Sequence, residues 1–250
     1  MAVEPVPDAP AAVIDYSDAR GLVVADVHAG IEAGLRRDGV ELADRAAERR
    51  AAILELLERT ETDHLFVLGD LGHAIGTPPR QEREEITALV DAITERVPLT
   101  LLKGNHDGEI ESVLDDDDRV TVTDGRGRRI GNVGLAHGHT WPSRDVLEAE
   151  TVCVGHEHPI ARLSDAIGGG HKERVWLRGH LDPSPFEGQY DESPPVIDGE
   201  LVVFPAFNDR SGGTWVNAGQ SFLSPFLPNG LADGEAYLLD GTRLGPYETV

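Results

Sequence analysis

Residues 21–28 have the sequence Gly-Leu-Val-Val-Ala-Asp-Val-His, and residues 64–70 have the sequence His-Leu-Phe-Val-Leu-Gly-Asp. Each stretch is a short apolar run that ends in a polar residue, which is typical of a buried strand in a layered α/β protein. A third run over residues 97–102 precedes Gly-Asn-His-Asp at 104–107. The three runs predict strands whose carboxyl ends carry the functional side chains.

Amphipathic helices are predicted between these strands. Residues 40–60 and 80–97 carry apolar side chains at helical spacing between charged faces. Alternation of strands and helices implies right-handed crossovers between parallel strands. The polar residues that follow the strands are therefore expected at one edge of a sheet.

The pattern changes after residue 118, where strand-like segments follow one another with Gly-rich connections and few helices. We predict from it a second, mixed or antiparallel sheet packed on the first. The segments are residues 120–122, 130–135, 151–154, 160–163, 174–177, 201–204 and 236–239. Residues 1–18 are predicted to be a poorly ordered lead-in, and residues 19–250 to form a single domain.

The chain of 250 residues is strongly acidic, with a net charge of −23 and a pI near 4.6. Lys103 and Lys172 are its only lysines. This composition is typical of proteins from salt-in halophiles such as haloarchaea. Because the Debye length is only ~3 Å at molar salt, the charge indicates the solvent more than the partner.

The sequence gives little support for a signal peptide, a membrane span or a reactive cysteine. The N-terminus lacks a basic and then apolar signal region, and the apolar runs fall short of the ~20 residues of a membrane span. Cys153 is the only cysteine, which excludes an intramolecular disulfide, and its place within Thr151-Val-Cys-Val154 predicts a buried strand residue rather than a nucleophile. The expected location is the cytoplasm, without a membrane partner.

Five short motifs follow one another in the first two-thirds of the chain, most of them directly after a predicted strand. They are Asp26-Val-His28, Gly69-Asp70, Gly104-Asn-His-Asp107, His137-Gly-His139 and Gly155-His-Glu-His158. Singly, each histidine is more often structural, and Asp70 alone would be a helix N-cap. Together, oxygen and imidazole ligands from several strand ends predict two divalent metals side by side, a site suited to displacement at phosphorus.

The ordered motif set resembles the calcineurin-like metallophosphoesterase superfamily. The resemblance implies a four-layer α/β/β/α sandwich of two mixed sheets flanked by helices, with a dinuclear centre at the strand ends. It also implies that a metal-bridging hydroxide attacks the phosphorus. The implied roles are Asp26, His28 and His158 at one metal, Asn105, His137 and His156 at the other, Asp70 as the bridge and His106 as the general acid.

Gly-Asp-Leu-Gly-His, at residues 69–73, departs from the Gly-Asp-x-x-Asp of phosphoprotein phosphatases and is similar to SbcD-type nucleases. His73 thereby becomes a second imidazole for the phosphate. His139 and Asp107 are candidate substrate contacts, with packing behind the ligands as the alternative for His139. For Asp107 the alternatives are orientation of His106 or a turn cap.

Later segments resemble an archaeal SbcD-related phosphoesterase family, and similar bacterial enzymes accompany a DNA ligase and helicase. We therefore expect hydrolysis of phosphodiesters in nucleic-acid ends, oligonucleotides or cyclic nucleotides. The expected cofactors are two divalent ions, Mn²⁺ first, with Fe, Zn, Ni or Mg as alternatives. A phosphomonoesterase and a non-catalytic scaffold are the competing hypotheses, and a DNA-repair helicase or ligase is an expected partner by resemblance alone.

Overall fold

Two β-sheets lie face to face in the computed structural model, which describes residues 3–114, 118–164, 169–190 and 195–250. The first sheet has six strands, in the spatial order of their numbering. They are β1 (Val3–Pro5), β2 (Ala11–Tyr16), β3 (Ala19–Ala25), β4 (His64–Leu68), β5 (Leu99–Leu102) and β6 (Val120–Thr123). Strands β3 to β6 are parallel, as predicted for β3, β4 and β5, and β1 and β2 pair antiparallel beside them. The prediction that residues 120–122 belong to the second sheet is wrong, because Val120–Thr123 pair with β5 and form β6 of the first sheet.

The second sheet has eight strands and is also mixed. They are β7 (Arg128–Ile130), β8 (Val133–Ala136), β9 (Thr151–Val154), β10 (Ile160–Ser164), β11 (Gly170–Leu181), β12 (Glu200–Val203), β13 (Leu231–Leu238) and β14 (Arg243–Pro246). The spatial order is β14-β13-β11-β12-β9-β8-β7, with β10 also paired to β11. Strand β9 runs parallel to both β8 and β12, so β8 and β9 end at one edge.

Helices cover the outer face of the first sheet. They are α1 (Ile31–Arg37), α2 (Ala46–Thr60) and α3 (Arg80–Thr94). The second helix begins later than predicted, where the Asp44 carboxylate accepts the Ala46 N–H at 2.9 Å. The third ends earlier than predicted, because the residue before Pro98 disfavours the helical conformation. The outer face of the second sheet is covered by the short α4 (Arg144–Leu147), a 3₁₀ turn and loops.

The apolar core lies in three layers: under the helices, between the sheets and beneath the outer loops. Cys153 is buried and unpaired in β9, which confirms the expectation for this residue. The expected arrangement of two mixed sheets flanked by helices is confirmed. Among the helices of the described residues, none combines the length and apolar character that crossing a membrane requires.

The predicted poorly ordered lead-in is wrong for residues 3–18. Strand β2 pairs along its length with β3, and β1 pairs with β2. Val3 and Ile14 are buried in the layer between the two sheets. The lead-in is ordered because these side chains help to fill the core between the sheets.

Candidate metal centre

The ends of five strands, three from the first sheet and two from the second, meet at one edge of the sandwich. Asp26 follows β3, Asp70 follows β4 and Asn105 lies just past β5. His137 follows β8 directly, and His156 lies two residues past β9. The motifs predicted from sequence at strand ends are therefore brought together by the packing of the two sheets.

Five of the seven predicted ligands have left-handed backbone conformations, which non-glycine residues rarely adopt. The φ angles are 57° at Asp26, 46° at His28, 51° at Asp70, 69° at His156 and 44° at His158. Hydrogen bonds between neighbouring loops hold this geometry: the His28 N–H donates to Asp70 O at 2.8 Å, and the Asp26 N–H donates to Gly69 O at 3.2 Å. Such a concentration of strained residues is typical of a functional site.

The first ligand group contains Asp26, His28, Asp70 and His158, whose candidate ligand atoms all lie within 4.8 Å of one another. His158 Nε2 is 3.2 Å from Asp26 Oδ1 and 3.4 Å from His28 Nε2. His28 Nε2 is 3.8 Å from Asp70 Oδ2. Two carboxylates and two imidazoles thus converge on one point.

The second group contains Asp70, His137 and His156, within the same 4.8 Å limit. His137 Nε2 is 3.5 Å from Asp70 Oδ2 and 3.2 Å from Asn105 Oδ1. Asp70 belongs to both groups, which is the position expected of a bridging carboxylate.

The donor set fits divalent metals. His137 Nδ1 donates to Leu68 O at 2.8 Å, and His158 Nδ1 donates to Gly212 O at 2.9 Å. In their neutral forms these rings turn the Nε2 lone pair toward carboxylate or amide oxygens, an arrangement that a metal cation satisfies and that protonation of the ring also satisfies. A backbone carbonyl on the other ring nitrogen also fixes the tautomer that metal ligation requires.

Electrostatics in the cluster favour a bound cation. Burial alone would lower the pKa of His137, but Asp70 and Asp26 raise it to about 9. Burial would raise the pKa of Asp70, yet His137 and the other imidazoles lower it. Burial lowers the pKa of His28 to about 3 and that of His156 to about 4, so both rings are neutral and available as ligands.

His106 and His73 lie beside the ligands and face the same open cleft of about 390 Å³. His106 Nε2 is 3.9 Å from Asp70 Oδ2, and its Nδ1 donates to the carbonyl of His73. The two rings stack with centroids 5.7 Å apart and planes 16° apart. Both predicted catalytic imidazoles are therefore next to the candidate metal sites.

Comparison with known proteins is consistent with this site. A family model described as calcineurin-like phosphoesterase matches residues 19–184. The chain belongs to this family. Membership supports a hydrolase that acts on phosphoester bonds, and the two ligand groups provide candidate sites for the divalent metals that such phosphoesterases use.

The solved structures that are similar to this calcineurin-like chain include a nuclease and a phosphoesterase. The nuclease MPE from Pseudomonas putida is 20% identical with a TM-score of 0.58, over 97% of this chain and 100% of its own. The phosphoesterase YfcE from E. coli is 16% identical with a TM-score of 0.39, over 78% of this chain and 84% of its own. A search of curated protein sequences gives no significant match. At 20% identity, the likeness to the nuclease MPE shows that the two proteins share a fold.

Of the two candidate substrate contacts, Asp107 lies behind the ligand loops and His139 lies beside His137. Asp107 is fully buried; its Oδ2 accepts the Gly104 N–H at 2.9 Å and its Oδ1 accepts the Gly72 N–H at 3.3 Å. The predicted substrate contact is therefore wrong for Asp107, which joins two ligand loops. The ring centroid of His139 is 5.3 Å from that of His137, and a substrate contact by His139 stays a prediction.

Sequence reasoning missed two positioning residues. Asn208 is buried and its amide donates to Val27 O at 3.1 Å and to His28 O at 3.3 Å, which holds the first ligand loop. Glu157, also buried, accepts the Thr214 hydroxyl at 2.9 Å and the Ser224 N–H at 2.6 Å. Glu157 lies inside the last motif, and Asn208 ends Phe204-Pro-Ala-Phe-Asn208, one of the later segments that carry the resemblance. Neither position indicated which backbone atoms its side chain would hold.

Proposed function

We propose that this chain is a dinuclear metal-dependent phosphodiesterase that acts on nucleic-acid ends, oligonucleotides or cyclic nucleotides. The observation that carries the proposal is the convergence of both ligand groups and two further imidazoles on one open cleft. When bound, two divalent ions supply Lewis-acid polarisation of a phosphoryl oxygen and activation of water.

The chain would hold one ion with Asp26, His28 and His158 and share Asp70 with the other. Asn105, His137 and His156 would complete the second site. All seven positions carry a side chain with a ligand atom, which disfavours the scaffold hypothesis, since a scaffold has no need of a complete ligand set.

His106 is suited to protonate the leaving oxygen. Because its Nδ1 donates to the His73 carbonyl, its Nε2 faces the cleft, and the proton for the leaving oxygen would be the one that Nε2 carries in the imidazolium form. The stacked His73 ring restricts the orientation of His106, which general acid catalysis requires. His73 also offers its own ring to the phosphate from the same side.

The charge of the cleft favours a diester over a monoester. Among the described residues that line it, Arg210 is the only arginine or lysine. Its guanidinium is 3.0 Å from Glu32 and donates to Ala43 O at 2.8 Å, so it is already engaged. The two metal ions would compensate charge on either ester, but the additional charge of a monoester dianion finds no unengaged arginine or lysine among the described residues of the cleft. A phosphomonoesterase is therefore the weaker alternative.

The test compares bis-p-nitrophenyl phosphate with p-nitrophenyl phosphate in molar KCl with Mn²⁺. We expect diester hydrolysis, and a loss of at least about 100-fold in kcat for His106→Asn while both Mn²⁺ ions stay bound. His64→Asn is the control, because His64 begins β4 at the end away from Asp70. Hydrolysis of the monoester alone, or full activity in His106→Asn, would contradict the proposal.

Five further properties of this chain belong to the same proposal, and their support is the sequence resemblance or the composition. They are the SbcD-related subfamily, a halophilic archaeal source, a cytoplasmic location, Mn²⁺ as the ion, and association with a DNA-repair helicase or ligase. Activity that rises toward molar KCl would support the halophilic assignment.

A further inference from the structure

One exposed leucine lies at the rim of the cleft. The large apolar side chains most exposed among the described residues are Val40, Ile75, Val196 and Leu223. Of these four, Leu223 lines the cleft that contains the candidate metal ligands, with 59% of its surface exposed. Single exposed leucines are common on protein surfaces. A functional role for Leu223 therefore depends on whether its position is fixed relative to the metal ligands.

The backbone of Leu223 is fixed to a ligand loop. Its N–H donates to both oxygens of the Glu157 carboxylate, at 2.9 and 3.0 Å. Glu157 is fully buried and lies between His156 and His158. Leu223 therefore keeps its place relative to two metal ligands, while its side chain remains open to the cleft.

A second apolar contact lies on the side of the general acid. The ring of His73, which stacks on His106, packs so closely against α1 that a Cβ on Gly34 would be 3.0 Å from His73 Cδ2. The next residue, Leu35, is partly buried and lines the cleft. Leu35 therefore lines the cleft on the side of His73 and His106.

We propose that Leu223 and Leu35 determine specificity by contacting the two ester groups of the substrate. Leu223 contacts the group that stays on the phosphorus, and Leu35 contacts the group that leaves. The preferred substrates are then diesters with apolar or planar groups on both sides, such as nucleobases or aryl rings. This inference rests on the proposed phosphodiesterase function.

The test uses bis-p-nitrophenyl phosphate and methyl p-nitrophenyl phosphate, which share a leaving group and differ in the retained group. In Leu223→Asn we expect kcat/KM to fall about tenfold for the bis-aryl diester through a higher KM, and to change less than about twofold for the methyl diester. Leu35→Asn should lower kcat/KM for both diesters equally. Val40→Asn, at an exposed position that does not line the cleft, should change neither.

Two failures are distinguishable. If the wild-type protein hydrolyses neither diester, the proposed function fails and this inference fails with it. If the wild-type protein hydrolyses both, and Leu223→Asn leaves the ratio of their kcat/KM values unchanged, the inference alone is wrong. Circular dichroism of each variant verifies the fold, which these substitutions at exposed or partly buried positions should preserve.

Discussion

Replacement of Asn208 by alanine should loosen the first ligand loop. The Asn208 amide donates to Val27 O and His28 O, at 3.1 and 3.3 Å, and its Oδ1 accepts the Arg210 N–H at 2.9 Å. At about 1 kcal/mol for each of the three hydrogen bonds, Asn208→Ala should lower the free energy of unfolding by about 3 kcal/mol. Loss of a residue that orients ligands should also weaken Mn²⁺ binding by about 10- to 100-fold.

Asn217→Ala is the matched control for this prediction. The side chain of Asn217 also makes three hydrogen bonds, to the backbone N–H and carbonyl of Arg162 and to the carbonyl of Val250, none of them on a ligand loop. This variant should lose stability and keep its metal affinity. The assay is calorimetric titration with Mn²⁺ in molar KCl, beside thermal unfolding. Wild-type Mn²⁺ affinity in Asn208→Ala would refute the assigned positioning role.

Two further perturbations test the centre itself. Gly104→Ala should abolish stoichiometric metal binding, because the new Cβ would lie 2.5 Å from Asp70 N and 2.9 Å from Asp70 Cγ; Gly108→Ala, with no atom within 4 Å of its new Cβ, should bind metal normally. Elemental analysis measures the number of metal ions bound by each variant. Two ions bound to Gly104→Ala would contradict the prediction and show that the loop accommodates the methyl group. Removal of the ions with EDTA should lower Tm, since each ion at 100 times its Kd contributes about 2.7 kcal/mol. A Tm that does not respond to Mn²⁺ would count against a folded-state metal centre.

Strands β3, β4 and β5 were predictable from sequence because burial on both faces makes each one a continuous apolar run. Strand β6, with the alternating sequence Val-Thr-Val-Thr, was assigned to the wrong sheet. Strands β1 and β2 were not, although Val3 and Ile14 are apolar. Their segment contains several prolines, and pairing with β3 and burial against the second sheet are contacts that no local pattern contains. The error at residues 3–18 is therefore one of tertiary context rather than of propensity.

The candidate ligands were predictable because their residue types and their places after strands are both visible in the sequence. The residues that hold the ligand loops in place were less predictable. Asn208 lies about 180 positions from the loop that it holds, and only the packed structure brings the two together. Asp107 illustrates the opposite error: a carboxylate that joins two loops is indistinguishable in sequence from one that faces a substrate.

The left-handed ligand residues give these buried supports a physical reason. A non-glycine residue at such a φ costs about 1–3 kcal/mol, and five adjacent to one centre would relax if nothing held them. Asn208, Glu157 and Asp107 each bond backbone atoms of a ligand loop or of a segment packed against one. The fold thereby maintains the strain and keeps the ligand atoms close together, so metal binding requires less reorganisation of the chain. Because the strained residues are ligands and their supports are not, substitution of a support should weaken metal binding while every ligand is still present.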